Sequence, residues 1–241
     1  MGTKRLLVAI DDTDELGWDV GTGRFSRRLL NDLTERYSLN PQGSVRQQLL
    51  VDDQVPYTTH NSAACLRFDT EEDPREEVIA FCADRLSTDC APNADPGLCV
   101  AFESEVPSEV VEWGRRAKSE VVDASEARDI ADRAGLFLDD YGGTGDGVVG
   151  ALAAVGATTE GDDGRFIQYD GIRSYGETVT VETLRDSGIA VVGPEGASVT
   201  TGKVRTEGWI RPQLRDGGPS LPVEQDGDHY LPANLSERGG G

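Results

Sequence analysis

The sequence predicts an α/β (α+β) protein, because stretches typical of strands and of helices alternate along most of its length. The stretch RLLVAI, at 5–10, is a short and continuous apolar run, which is typical of a strand buried on both faces. It is followed at 23–38 by apolar residues at helical spacing, which predict an amphipathic helix. The alternation continues through 196, so we expect one α/β architecture for most of the chain.

The remaining elements follow from shorter patterns of the same kind. Strands are predicted at 44–52, 61–69, 97–104, 164–170 and 177–184. Helices are predicted at 74–87, 108–117, 124–135 and 145–158. Pro74 is a typical first helical residue, and the helix at 124–135 is expected to have Ser125 as its N-cap and Gly135 as its stop.

The order of these elements predicts a division into domains. Within 44–104 the order is strand, strand, helix, strand, and a helix follows, which predicts a ferredoxin-like insert at 44–119. The flanking segments, 1–43 and 120–205, would then form one discontinuous domain. The last segment, 206–241, is rich in glycine and proline and predicts a hairpin with a loose tail.

The chain is strongly acidic. Its 241 residues include 44 acidic and 23 basic side chains, which gives a formal net charge of -21. Only Lys4, Lys118 and Lys203 are lysines. We expect this composition in a salt-adapted protein, and a basic partner is the alternative explanation. The acidity disfavours nucleic-acid binding, although concentrated salt weakens that argument by reducing the Debye length to about 3 Å.

The cysteines and the hydropathy pattern indicate a cytoplasmic protein. Cys65, Cys82, Cys90 and Cys99 lie far apart with no C-x-x-C pair, so we predict free, mostly buried thiols and no zinc site. No stretch approaches the roughly 18–20 apolar residues of a membrane span. Asp11 interrupts the first apolar run, so neither a signal peptide nor a membrane partner is predicted.

Three aspartates follow the first strand immediately. Asp11, Asp12 and Asp14 come at its carboxyl end, which is where ligands bind in open α/β sheets. Carboxylates there suit Mg²⁺, which often joins protein carboxylates to substrate phosphates. The turn that follows contains Gly21, Thr22 and Gly23. Its backbone N–H groups, at a helix N-terminus, would bind an anion. The stretch predicts a nucleoside triphosphate site, with an Asx-rich surface turn and an N-cap as the alternative.

A second glycine-rich stretch, DDYGGTGDGVVGALAAVG, runs into a helix of small residues. Gly145, Gly147 and Gly150 match G-x-G-x-x-G, and Asp170 follows at about the distance of a ribose-binding acid, so NAD binding is an alternative. The preceding stretch GLFLDDYG is a poor buried strand, because paired acids interrupt it. No G-x-x-x-x-G-K-[ST] is present, which excludes the P-loop class.

A polar segment separates two of the predicted strands. It includes Thr59, His60 and Asn61. His60 has no second histidine nearby, so a metal site is not predicted there. The segment is either a solvent-exposed loop or a substrate-contacting loop rich in hydrogen-bonding groups.

Taken together, these stretches resemble a known family, the archaeal isoleucine-tRNA agmatinylcytidine synthetases (TiaS). AIDDTD, followed by a glycine-containing segment with a threonine and then a helix, resembles the N-terminus of that family. VPYTTHNSAACL is similar to a second family segment, and GDGVVGALAAVG resembles a further signature. The three similarities occur in the family's order and span 6–193.

The resemblance implies a kinase-like catalytic domain of the TiaS type with an inserted ferredoxin-like domain. The family uses ATP and agmatine to modify the wobble cytidine of an isoleucine tRNA through a phosphorylated intermediate. By resemblance, Asp11, Asp12 and Asp14 are catalytic carboxylates, Asp11 and Asp12 are Mg²⁺ ligands, and Thr22 lies near the transferred phosphate. The implied ATP-binding residues are Gly21, Thr22, Gly23, Gly143, Gly145 and Gly147. An acidic site would also suit the cationic groups of agmatine or a similar small cation.

Some features differ from the family pattern. The family continues with an OB-fold and a zinc ribbon that hold the tRNA, whereas this sequence ends at 241 without C-x-x-C pairs, which implies a truncated form or paralogue. Glu15 stands at the position of a family serine, and Gly23 at that of a second threonine. Three functions stay open: an ATP-dependent tRNA-modification-type enzyme, a non-catalytic nucleotide- or agmatine-binding module, and, remotely, an NAD-binding oxidoreductase.

Overall fold

The computed structural model describes residues 2–55 and 61–233. The chain divides into two compact units, Met1–Glu160 and Gly161–Gly241, called here the N-terminal unit and the C-terminal unit. None of the helices in the described parts of the chain has the length and apolar character that a membrane span requires. All four cysteines are free and three of them are buried, which confirms the prediction for the thiols.

The N-terminal unit contains five strands and five α-helices within its described residues. In chain order they are β1 (Lys4–Asp11), α1 (Thr22–Arg36), β2 (Asn40–Gln48), β3 (Ser62–Thr70), α2 (Arg75–Asp89), β4 (Gly97–Phe102), α3 (Ser108–Arg116), α4 (Ala124–Ala134), β5 (Phe137–Asp140) and α5 (Gly147–Glu160). The predicted helices and strands of this region are therefore confirmed in type, with β2 beginning four residues earlier than expected.

The five strands form one sheet in the order β5-β4-β1-β3-β2. Every neighbouring pair is antiparallel. β1 lies between β3 and β4, so that Val8 faces Leu66 on one side and Val100 on the other. A strand with neighbours on both edges and helices on both faces has no contact with water, which explains the continuous apolar run.

Helices cover the two faces of this sheet differently. α3, α4 and α5 pack around the core that contains Leu7 and Ala9, whereas α1 and α2 contact the strands from the face of Leu6 and Val8. The glycines of α3 and α5 allow these helices to touch through their backbones. A Cβ on Gly156 would lie 2.0 Å from the carbonyl oxygen of Val110, so no larger residue fits there without moving a helix.

The C-terminal unit is built mainly from strands. Its elements are β6 (Arg165–Gln168), β7 (Thr178–Thr180), α6 (Val181–Asp186), β8 (Ala190–Val192), β9 (Lys203–Arg205), β10 (Gln213–Arg215), β11 (Gly218–Asp226) and β12 (His229–Pro232). The strand order is β6-β10-β11-β12-β9-β7, and β8 pairs with β11 in parallel.

The structure groups the chain differently from the predicted domains. The strand order β4-β1-β3-β2, with β-α-β-β-α-β connectivity, is a ferredoxin-like arrangement, but it begins at Lys4 rather than at 44. Strands expected within an insert at 44–119 instead flank β1 in one sheet, because the central apolar strand needs a partner on each edge. The contacts therefore divide the chain near residue 160 and do not define a discontinuous domain of 1–43 and 120–205.

Three smaller expectations also need correction. Asp123, not Ser125, caps α4, because its side chain accepts the N–H of Glu126. The stretch predicted as a strand at 177–184 divides into β7 and α6, since Thr180 caps a helix by accepting the N–H of Thr183. The described part of 206–241 is not a single hairpin: β10, β11 and β12 form two successive antiparallel pairs within the C-terminal unit.

Candidate functional site

A cavity of about 250 Å³ opens in the N-terminal unit where β1 ends. Six aspartates line it: Asp11, Asp12, Asp14, Asp95, Asp123 and Asp146. We call this cavity the acidic pocket. It combines the three aspartates that the sequence predicted with three that it did not. Thr22, the first residue of α1, and Gly147, the first residue of α5, line the same cavity.

The end of β1 holds Asp11 and Asp12 in different ways. Asp11 is the last residue of the strand and pairs with Gly97 of β4. Asp12 leaves the sheet with a φ of 49°, a left-handed conformation that is uncommon for a residue with a side chain. The backbone N–H of Asp95 donates to the Asp12 carboxylate. Unusual backbone conformations of this kind cluster at functional sites.

Asp11, Asp12 and Asp14 lack compensating positive charge. Burial, with the nearby charges of Asp12 and Asp14, raises the pKa of Asp11 to about 7. Burial, with the charges of Asp95, Asp14 and Asp146, raises the pKa of Asp12 to about 6. Burial also raises the pKa of Asp14. Over residues 2–55 and 61–233, no arginine or lysine forms an ion pair with these three. Such a site requires protons or an added cation to neutralise it.

Thr22 is held beside Asp14 at the start of α1. The Thr13 hydroxyl donates to Thr22 Oγ1 at 3.1 Å, and Thr22 Oγ1 lies 3.4 Å from Asp14 Oδ1. Gly21 is the N-cap of α1 and provides no capping side chain. A Cβ on Gly21 would lie 3.1 Å from Asp14 Oδ2, so glycine leaves room for that carboxylate. Gly21 and Gly23 do not themselves line the acidic pocket.

The second glycine-rich turn encloses the carboxylate of Asp95. The N–H of Gly145 donates to Asp95 Oδ1 at 2.9 Å, and Thr144 Oγ1 lies 3.1 Å from Asp95 Oδ2. A Cβ on Gly143, which has a φ of +60°, would lie 1.9 Å from Asp95 Oδ1. Gly143 and Gly145 therefore surround a carboxylate of the protein itself, and of the three glycines in this turn that were predicted to bind phosphate only Gly147 lines the acidic pocket.

The glycines of α5 permit close approach rather than forming a dinucleotide fingerprint. A Cβ on Gly150 would lie 1.8 Å from Asp11 Oδ2, and one on Gly147 would lie 1.9 Å from the carbonyl oxygen of Asp95. β5, which precedes this turn, pairs antiparallel with β4. The dinucleotide fingerprint requires a parallel β-α-β unit. Asp170, the predicted ribose-binding acid, lies in the C-terminal unit.

Apolar residues form another part of the wall of the acidic pocket. They include Leu49, Leu50, Val121 and Val149. Asn61 also lines the pocket, and its side-chain amide donates to the Leu50 carbonyl oxygen at 2.7 Å. Thr59 and His60, the other residues of the predicted substrate loop, lie outside the described residues.

The donor atoms fit Mg²⁺ only in the presence of a second ligand. Within the described residues, no group of three histidine, cysteine, aspartate or glutamate side chains is arranged to hold a metal ion by itself. Mg²⁺ prefers oxygen ligands and typically binds through one or two carboxylates together with substrate phosphates and water. The uncompensated charge of Asp11 and Asp12 matches that kind of site.

Asp95 and Asp146 are the functional candidates that sequence reasoning missed. Asp95 belongs to the stretch NADPG before β4, and nothing in its sequence links it to β1. Asp146 lies inside the second glycine-rich stretch, and an acidic residue within a glycine-rich turn was the sequence signal that could have identified it. The strand pairing of β1 with β4 brings both regions together.

Sequence comparison finds one curated relative of clear similarity. The chain is 31% identical over 157 residues to the isoleucine-tRNA 2-agmatinylcytidine synthetase TiaS of Cenarchaeum symbiosum (strain A). That match covers 63% of this chain and 33% of the relative, so the chain spans about a third of the length of that relative. No family model matches the chain.

Structure comparison finds the same family. The crystal structure of TiaS in complex with its isoleucine tRNA and ATP matches 64% of this chain and 36% of its own, with a TM-score of 0.53 and 22% identity. The complex of TiaS with the same tRNA, AMPCPP and agmatine matches 76% of this chain and 44% of its own, with a TM-score of 0.52 and 18% identity. These likenesses show a TiaS-like fold. Together with the curated relative, they confirm the resemblance and the mixed α/β class predicted from the sequence.

Proposed function

We propose that this chain is an ATP- and Mg²⁺-dependent enzyme with TiaS-type chemistry, and that the acidic pocket is its active site. One observation carries the proposal. Strand-end carboxylates with raised pKa values and no ion-pair partner in the described residues share a cavity with the N-terminal residues of two helices. Helix N-termini favour phosphate, and carboxylates favour the cation that accompanies it. A magnesium nucleotide satisfies both requirements at once.

Asp11 and Asp12 would hold the metal in this proposal. The chemistry that Mg²⁺ supplies when bound is neutralisation of phosphate charge during transfer. Asp11 is fixed by strand pairing and Asp12 by the N–H of Asp95, so both carboxylates are oriented before any ligand arrives. Such preorganisation is the main way in which a protein assists phosphoryl transfer.

Thr22 and Asp14 would act at the reacting phosphate. The hydroxyl of Thr22 accepts from Thr13 and faces Asp14, so its proton has a carboxylate acceptor and its oxygen has a fixed position. Burial raises the pKa of Asp14, which makes this carboxylate a better proton acceptor than an exposed aspartate.

The remaining part of the acidic pocket suits a small dication. Agmatine carries a positive group at each end of a short methylene chain. The wall formed by Leu49, Leu50 and Val149 can cover the methylenes, while Asp123 and Asp146 line the same cavity. The acceptor would be a cytidine in RNA, as the chemistry of the curated TiaS relative requires.

A direct test compares nucleotide turnover by the wild type and an Asp12→Asn variant in concentrated salt. ADP, AMP and phosphate release would be measured with ATP and Mg²⁺, with and without agmatine and an isoleucine tRNA transcript. The proposal predicts turnover that depends on Mg²⁺ and falls by at least about 100-fold in Asp12→Asn. Glu35→Gln, which changes an exposed acid of α1 outside the acidic pocket, should keep wild-type turnover.

A non-catalytic nucleotide- or agmatine-binding role is the second candidate. The observation that favours it is Asp95, whose carboxylate already occupies the second glycine-rich turn. In that case ATP or agmatine would bind in calorimetric titration, and no product would form under any of the conditions above.

A further inference from the structure

A second cavity, of about 520 Å³, lies beside the acidic pocket in the N-terminal unit. Its lining includes Trp18, Phe25, Arg28, Arg85 and Cys90. We call it the Trp18 pocket. Its volume falls within the about 300–1,000 Å³ of ordinary ligand sites. None of these five residues lines the acidic pocket, so the two cavities are distinct.

The Trp18 pocket adjoins the acidic pocket through shared chain segments. Trp18 belongs to the connection between Asp14 and Thr22, both of which line the acidic pocket. Cys90, which lines the Trp18 pocket, is close enough to Asp12 and Asp14 for their charges to raise its pKa further, after burial and the charge of Asp89. The Trp18 pocket therefore lies close to the part of the acidic pocket that Asp12 and Asp14 line.

Trp18 is held outward by a defined turn. Its N–H donates to the Glu15 carbonyl oxygen at 3.0 Å, and Gly17 has the φ of +90° that this turn requires at its third residue. Glu15 is fixed in turn by Asn93, whose side chain donates to it at 2.7 Å. Trp18 is 42% exposed, which is unusual for tryptophan and leaves aromatic surface available.

Arg28 provides a positive charge next to this aromatic surface. Across the described parts of the chain, Arg28 makes no hydrogen bond or ion pair, whereas Arg85 on the same pocket is bridged to Asp32 and Asp89. Arg28 is therefore the group in this pocket that is available to an anion.

We infer that the Trp18 pocket binds one nucleotide of a single-stranded RNA, with its base stacked on Trp18 and its phosphate paired with Arg28. This inference rests on the proposed function, which requires an RNA cytidine in the adjacent acidic pocket. Proteins that bind single-stranded nucleic acid combine aromatic stacking surfaces with nearby cations, and RNA is recognised by unstacked bases on such surfaces. The bound nucleotide would be a neighbour of the modified cytidine.

The test measures binding of a fluorescein-labelled oligocytidylate by anisotropy, without ATP, over a series of KCl concentrations. Trp18→Ala and Arg28→Gln are compared with Leu16→Ala and Arg36→Gln. Leu16 is 82% exposed on the same connection, and Arg36 lies at the other end of α1, and neither lines the Trp18 pocket. All four changes are at surface positions, so the fold should be kept.

The two test variants should weaken RNA binding with different salt dependences. Trp18→Ala should weaken binding about tenfold at every salt concentration, because base stacking does not depend on counterions. Arg28→Gln should weaken binding most at low salt and reduce the slope of log K against log salt by about 0.7, the contribution of one single-strand phosphate. Leu16→Ala and Arg36→Gln should bind like the wild type.

The inference is overturned if the wild type does not bind the oligonucleotide, or if Trp18→Ala and Arg28→Gln bind it as the controls do. It is also overturned if inorganic phosphate displaces the oligonucleotide equally well from the wild type and from Trp18→Ala, because the pocket would then bind a free anion without recognising a base. Binding of a magnesium ATP analogue is measured on the same samples. If the analogue binds but Trp18→Ala and Arg28→Gln leave RNA binding unchanged, only the inference for the Trp18 pocket is rejected. If the two variants weaken RNA binding as expected but the analogue does not bind, the proposed function is rejected.

Discussion

Replacement of Asp11 by asparagine is expected to stabilise the N-terminal unit at pH 8 while removing magnesium-nucleotide binding. Asp11 is partly buried at the end of β1, and its carboxylate has no ion-pair partner within the described residues. Asparagine has nearly the same shape and carries no charge. The substitution therefore removes the cost of a buried charge and keeps the packing against Gly150.

The magnitude follows from the pKa of Asp11, which burial raises from 3.8 to about 7. The folded state keeps the proton more tightly than the unfolded state, so stability should be lost as pH rises from about 4 to about 7. A pKa difference of this size corresponds to about 4 kcal/mol, which is an upper limit because the pocket admits water. An increase of about 1–4 kcal/mol in the free energy of unfolding is expected for Asp11→Asn at pH 8.

The assay is urea unfolding followed by circular dichroism at pH 5 and pH 8, at one high salt concentration. The gain from Asp11→Asn should be larger at pH 8 than at pH 5. Asp73→Asn is the matched control, because Arg75 holds the pKa of that exposed carboxyl below its usual value and the substitution should not stabilise. An Asp11→Asn variant no more stable than the wild type at pH 8 would refute the electrostatic account of the pocket.

Three further predictions concern the same site. Gly150→Ala should destabilise the N-terminal unit by about 1–3 kcal/mol despite the helical preference of alanine, because the added Cβ would lie 1.8 Å from Asp11 Oδ2. The control is Gly176→Ala, which adds a Cβ in open space and should leave the free energy of unfolding nearly unchanged in the same urea titration. Thr22→Val should lower ATP turnover by about 100-fold or more and cost about 1–2 kcal/mol of stability, because the buried Thr13 hydroxyl loses its acceptor. Thr22→Ser should retain both activity and stability. Equal activity of the two variants would exclude a role for the hydroxyl. Asp95→Ala should lower the free energy of unfolding by about 1–3 kcal/mol, because the N–H of Gly145 loses its acceptor. Asp95→Asn should recover most of that loss. Equal unfolding free energies for the two variants would contradict the hydrogen bond between Gly145 and the Asp95 side chain.

Local patterns were sufficient for most elements of the N-terminal unit. The apolar run of β1, the 3.6-residue spacing of α1 and the αL stop at Gly135 each depend on neighbours in sequence, and each is found as predicted. The cap of α4 was misplaced by two residues, because Asp123 and Ser125 are both good caps and only the hydrogen bond to Glu126 distinguishes them. The strand predicted at 177–184 was too long for a similar reason: Thr180 caps α6 through a hydrogen bond from the N–H of Thr183.

The sequence by itself determined the α/β class, the acidic end of β1 and the glycine-rich starts of α1 and α5. These depend on residue type and spacing along a few turns of chain. Only the tertiary structure decided that β2, β3 and β4 join β1 in one sheet, and that Asp95 and Asp146 therefore meet Asp11 and Asp12. The physical reason is that strand partners are chosen by burial and hydrogen bonding between segments far apart in sequence, and no local pattern records which distant strand will satisfy them.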